Sequence, residues 1–145
     1  MFEKLFLLVK NNAGAAVINN PVIPAGSREA VINEASSSII EVLKNQMENG
    51  RIGDLIKYFQ FSGTYNESLV TSIINKFANR LNKFYSIDMP SAQAAAHSLI
   101  PTVMRQLVQQ SKTQQTKEFA LGNMLSQLNG NRADLSGLVN QLMIA

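Results

Sequence analysis

Apolar residues recur at intervals of three and four along the whole chain, and no run alternates over more than a few residues. That spacing gathers them on one side of a helix with 3.6 residues per turn and predicts no strand. The clearest stretch is residues 64–85. Leu69, Ile73, Phe77 and Leu81 follow one another by fours, Val70, Ile74 and Ala78 form a second row beside them, and Phe84 and Tyr85 extend the band. Glu67, Thr71, Ser72, Asn75, Lys76, Asn79, Arg80, Asn82 and Lys83 fill the opposite face. Thr64 with Glu67 three residues later reads as a capping box, each side chain reaching the other's backbone amide. A helix over about 65–85 is roughly 30 Å long at 1.5 Å per residue, long enough to be the central element of a small domain.

The rest of the chain is helical by the same test. Phe2, Leu5, Phe6, Val9, Ala13, Ala16 and Val17 predict a first helix over 2–18, weakened at Gly14, with Leu7 and Leu8 making its first half apolar nearly all round. Asn19-Asn20-Pro21 stops it, and Val22 and Ile23 are expected to run extended towards Pro24. Ser27 is the expected cap of a helix reaching Asn49, with Glu29 in its first turn. Gly50 is placed for a left-handed C-terminal stop, with Ile52 as the apolar residue that folds back on the last turn. Asp54 is the expected cap of a short helix carrying Leu55, Ile56, Tyr58 and Phe59. Beyond residue 85, Asp88 caps a helix over about 89–111 with Pro90 in its first turn; Pro101 falls on its polar row and predicts a kink near 97–101. Thr116 and Asp134 are the expected starts of two further helices, the first carrying Phe119, Leu121, Met124, Leu125 and Leu128.

These signals predict an all-α fold, a single multihelical bundle of about seven helices in one domain over 1–145. At 145 residues and 46% hydrophobic the chain has the material for a sizeable core. Only 16% of residues are charged, so much of the surface is Asn, Gln, Ser and Thr. With no cysteine, disulfides, thiol nucleophiles and thiolate metal sites are excluded together. Residues 5–9 are the longest apolar run near the N-terminus, too short and too acidic in their flank for a signal peptide. No segment approaches the ~18 consecutive apolar residues of a membrane span. A cytoplasmic protein is the expectation.

Candidate chemistry is sparse. His97 is the single histidine, and it shares a helical row with Gln93 and Arg105; the bland reading is a surface residue beside a proline. Glu34, Glu41 and Glu48 recur every seven residues, with Lys44 placed between the last two as an ion-pair partner, so a salt-bridged face outweighs a metal site. Ser36-Ser37-Ser38 reads as a small-residue approach for a neighbouring helix, since no base is placed to activate a serine. There is no phosphate loop, dinucleotide fingerprint or nucleophile elbow. No catalytic residue, cofactor or metal is expected, and the chain does not read as an enzyme.

Two surfaces remain. Lys76, Arg80 and Lys83 align on one side of the central helix, and between residues 76 and 117 six basic residues face Asp88 alone, although the whole chain is only +3. Such a field suits phosphates, but no aromatic residues interleave to stack bases. The other surface is apolar: Leu7 and Leu8 near one end of the chain, and Leu142, Met143 and Ile144 at the other, are candidates for burial against a protein partner or a second copy. The leading expectation is a non-catalytic interaction or assembly module, with nucleic-acid binding through the basic row as the alternative.

The order Asn20-Pro21-Val22-Ile23-Pro24 after an apolar helix, then Asn49-Gly50-Arg51-Ile52-Gly53-Asp54-Leu55, then Ser98-Leu99-Ile100-Pro101 in an Ala-rich helix resembles small bacterial all-helical proteins of unknown function related to the YidB-like family. The resemblance implies a helical fold and a bacterial source. Its motifs are structural punctuation, so it carries over no functional residue.

Overall fold

In the computed structural model, which describes residues 2–60, 67–113 and 121–128, the fold is all-α. Its α-helices are α1 (Phe2–Asn11), α2 (Arg28–Glu48), α3 (Ile52–Gln60), α4 (Glu67–Tyr85), α5 (Met89–Thr113) and α6 (Leu121–Leu128). The described residues contain no strand. Thr64, Thr116, Phe119 and the expected helix from Asp134 lie outside the described residues.

The chain divides into two compact units, and α2 and α5 each contribute one portion to each. Residues 2–39 and 68–103 form the first. Its core is Leu5, Leu8 and Val9 of α1, Val31, Ile32, Ala35 and Ile39 of α2, Leu69, Ile73, Ile74, Phe77, Ala78 and Leu81 of α4, and Ala92, Ala95, Ala96, Leu99, Ile100 and Val103 of α5. The described residues of the second unit are 40–60, 67, 104–113 and 121–128. Its described core is Val42 and Leu43 of α2, Leu55, Ile56, Tyr58 and Phe59 of α3, Met104, Leu107 and Val108 of α5, and Met124, Leu125 and Leu128 of α6. Within it Tyr58 and Phe59 meet edge to face, 5.3 Å between ring centres, and burial pushes the Tyr58 hydroxyl up to about 12.

The first helix is shorter than its apolar stripe. α1 ends at Asn11, because the Asn12 side chain donates from Nδ2 to the Leu8 carbonyl at 2.8 Å. That carbonyl would otherwise take the Asn12 backbone amide, which turns instead to Val9 at 3.0 Å. A side-chain amide thus competes with the helix for its own acceptor. The chain re-forms over Gly14–Ile18 as one wide turn. Ile18 donates to the Ala13 carbonyl at 3.0 Å and Asn19 to Gly14 at 2.8 Å, five residues back in each case, the spacing of a π turn.

The segment between the prolines turns rather than extends. Asn20 Oδ1 accepts from the Val22 amide at 3.1 Å, and the Asn20 carbonyl accepts from Ile23 at 3.1 Å. The side chain of Asn20 mimics a turn backbone, and the turn it closes bends the chain at Pro21 and Val22. A short 3-10 turn, Ala25–Ser27, then leads into α2, with the Ser27 amide donating to Pro24 at 2.9 Å.

The end of α2 follows the expected geometry with one correction. Gly50 has φ +74°, its amide donates to Met47 at 3.2 Å, and Arg51 donates to Gln46 at 2.8 Å. This is the paired bonding of a Schellman stop. The residue in the fold-back position is Arg51, which is exposed, and not Ile52. Ile52 begins α3, and the Arg51 carbonyl accepts the first bond of that helix from Leu55 at 3.1 Å. Asp54 therefore lies inside the first turn instead of capping it, where its charge still suits the helix dipole.

Asp88 caps α5 as expected: its Oδ2 accepts from the Ser91 amide at 3.1 Å, and these hydrogen bonds hold its carboxyl below the usual carboxylate range. α5 runs through Pro101 as one helix. Pro101 lacks the amide that would meet the His97 carbonyl. His97 is exposed, so water can reach the carbonyl in its place.

Candidate interaction surface

The basic row of α4 is where the spacing puts it, but it is not a free positive stripe. Arg80 Nη1 lies 3.5 Å from Glu34 Oε2 of α2. The side chains are 21% and 25% exposed, so the pair is mostly screened from water, yet one long contact contributes about 1 kcal/mol at most. Glu34 acts beyond that contact. Its carboxylate helps raise the Tyr85 hydroxyl, after the larger effect of burial. Glu34 thus belongs to an α2–α4 cluster with Arg80 and Tyr85, and a cation row sitting on a carboxylate loses part of its field. Lys76 is partly buried and also engaged. Lys83 is exposed, with its ammonium 5.6 Å from the centre of the Phe84 ring, a cation–π distance.

The apolar surface is more pronounced. Leu7 is 49%, Val22 41% and Phe84 61% exposed, all in the first unit. Phe84 stands out because of its register. Seven residues beyond Phe77 and three beyond Leu81, it points along the middle of the apolar face of α4, yet those two are fully buried. The face therefore runs past the packed core at its C-terminal end. Leu8, paired with Leu7 in the sequence reading, is a core residue at 7% exposure. Leu142, Met143 and Ile144 lie outside the described residues. Sequence periodicity places Phe84 with the core because it reports direction around a helix and not where along the helix the partners stop. The exposure of Val22 was not anticipated, because it sits in turn geometry that apolar spacing does not address.

The remaining candidates are unassembled. His97 and its row neighbours Gln93, Arg105 and Gln109 are exposed. Among the described residues no three His, Cys, Asp or Glu side chains come together to hold a metal ion, and no helix is long and apolar enough to cross a membrane. Ser36 and Ser38 are buried at 4% and 0% exposure. Ser38 Oγ donates to the Glu34 carbonyl one turn back at 2.8 Å, whereas Ser36 Oγ has no hydrogen-bond partner among the described residues. These burials agree with small side chains admitting a close neighbour.

No protein-family model matches the chain. No curated protein and no solved structure matches it either.

Proposed function

We propose that the chain is a non-catalytic protein-interaction or assembly module of a bacterial cytoplasm, acting through exposed apolar side chains of its first unit. The observation that carries this reading is Phe84, 61% exposed although Phe77 and Leu81 on the same part of the helix face are fully buried. Leaving a phenyl ring in water forgoes about 1.5–3 kcal/mol of burial, which a protein partner or a second copy recovers. Leu7 and Val22 add apolar area in the same unit. Scattered single apolar residues are ordinary on protein surfaces; Phe84 differs from them by its register on the α4 face. The resemblance to the YidB-like helical proteins is part of the same proposal and supplies the bacterial setting.

Nucleic-acid binding through Lys76, Arg80 and Lys83 is the second reading, and the Arg80–Glu34 pair weighs against it. It predicts binding that weakens with salt at a log–log slope of about −3 for three phosphate contacts. Light scattering over a concentration series, with capture of partners from host lysate, tests the leading reading. Self-association or a recovered protein that Phe84→Ser removes supports it. A strict monomer that recovers nothing above background overturns it.

A further inference from the structure

Among the described residues Asn49 is the one asparagine followed by glycine. That dipeptide carries a reaction of its own. The backbone nitrogen of the second residue attacks the side-chain amide carbon of the first, and glycine has no side chain to obstruct the approach. The junction between α2 and α3 exposes both partners of this reaction. Asn49 and Gly50 are open to solvent, and no hydrogen bond to a described residue holds the Asn49 side chain. The space beside Gly50 is empty, with nothing within 4 Å of a Cβ placed there. The attacking nitrogen, however, is tied down. It must give up its proton to attack, and that proton is bonded to the Met47 carbonyl at 3.2 Å. Bonds from Asn49 to Asn45 at 3.0 Å and from Arg51 to Gln46 at 2.8 Å flank it. The reacting groups are thus adjacent, and the helix stop holds them apart. A helix end of this kind opens locally at far lower cost than the whole fold.

We propose that Asn49-Gly50 is a self-modification site, gated by the Schellman stop, at which the Asn49 side-chain amide is hydrolysed through a cyclic imide. When the stop opens, the Gly50 nitrogen loses its proton and bonds to Asn49 Cγ. The Cγ–Nδ2 bond breaks, and Nδ2 takes up the proton and leaves as ammonia. Water then adds to either carbonyl of the imide and opens it. One product is aspartate; the other is isoaspartate, whose backbone runs through Cγ and is one carbon longer. Water enters, ammonia leaves, and nothing is oxidised or reduced. Either product places a carboxylate directly after Glu48 at the C-terminal end of α2, where the helix dipole disfavours it. In isoaspartate the added carbon also shifts the Gly50 and Arg51 amides away from the Met47 and Gln46 carbonyls. The junction is loosened once, and irreversibly.

The test incubates the full chain at mildly alkaline pH, folded and in urea, and follows each asparagine by peptide mapping and mass spectrometry. Conversion of Asn49 is read on its own peptide, apart from the second such pair, Asn129-Gly130, with aspartyl and isoaspartyl forms separated. Hydrogen exchange on the folded chain gives the protection of the Gly50 amide. The expected result is mixed aspartyl and isoaspartyl product at Asn49 in both samples, formed at least about tenfold more slowly in the folded chain. That slowing matches the protection of the Gly50 amide, because one opening exposes the same nitrogen to both reactions. Asn49→Gln, which would have to close a larger ring, stays unmodified over the same period. Asn49→Asp, which stands in for one product, lowers the Tm by about 1–3 °C. Equal rates in the folded and unfolded chain, or a slowing unrelated to the Gly50 protection, overturns the gate. No product at Asn49 after the time that this protection sets overturns the site itself. A Tm of Asn49→Asp at or above that of the native chain overturns the loosening.

Discussion

Two helix junctions in this chain reach the same backbone geometry by different chemistry. Between α2 and α3 the left-handed residue is Gly50, φ +74°; between α4 and α5 it is Ser86, φ +55°. A left-handed conformation is nearly free for glycine and costs other residues about 1–2 kcal/mol. The first junction needs little beyond its own backbone bonds, and its fold-back position is the exposed Arg51. The second is held by its surroundings. Ile87 is 3% exposed, its amide reaches back to the Leu81 carbonyl at 3.3 Å, and its carbonyl accepts from Asn82 Nδ2 at 2.8 Å. Asp88 then opens α5. Burial of one isoleucine, about 1.5–3 kcal/mol, offsets the strain at Ser86. The same turn is thus made once by a residue that allows it and once by neighbours that enforce it.

The comparison breaks most visibly at Ile87. Ile87→Ala removes the buried anchor and is expected to cost about 2–5 kcal/mol, read by urea unfolding; a loss below about 1 kcal/mol means that the anchor does not hold the turn. Gly50→Ala forces alanine into the left-handed region and is expected to cost about 1–2 kcal/mol. The space around Gly50 is open, with nothing within 4 Å of a built Cβ, so any loss there reports backbone conformation and not a clash. Ser86→Gly runs the other way, with an expected gain of about 0.5–1 kcal/mol once the greater chain entropy of glycine is counted. Opposite signs at these two positions are the sharpest form of the contrast.

The smallest effect is at Asp88. Its folded-state pKa lies below the ordinary value, chiefly through the Ser91 backbone amide and then the Ser91 side chain. Its contribution is therefore complete above the unfolded-state pKa near 4 and is lost as the pH falls through the folded value. Asp88→Asn keeps a cap without the charge. The Tm difference between the two proteins is expected to shrink on acidification below about pH 4, and a difference that grows contradicts the assignment.

The junctions also show what could be read from the chain alone. Gly50 was legible because only glycine advertises a left-handed residue; Ser86 was not, because its conformation is imposed by the burial of Ile87 and the reach of Asn82. The long α4 and α5 were legible because their stripes repeat over several turns. The split of the first helix was legible only as a weak point at Gly14; that α1 ends already at Asn11 was not, since that depends on one side-chain bond from Asn12. For the candidate site the limit is similar. The row Lys76, Arg80, Lys83 follows from spacing, but its partner Glu34 lies 46 residues away from Arg80, and no local pattern joins them. Glu34 itself was read as part of a glutamate row along its own helix.

The central functional claim is that apolar side chains of the first unit, Phe84 above all, bind protein. Its most direct measurement is capture from host lysate, with and without nuclease, by the native chain and by a Leu7→Ser, Phe84→Ser double variant. The expected result is a protein recovered in equal amount with or without nuclease and lost from the variant, whose Tm stays within a few degrees because both residues are exposed. Recovery that vanishes on nuclease treatment and survives the double substitution contradicts it, and points to the basic row of α4 instead.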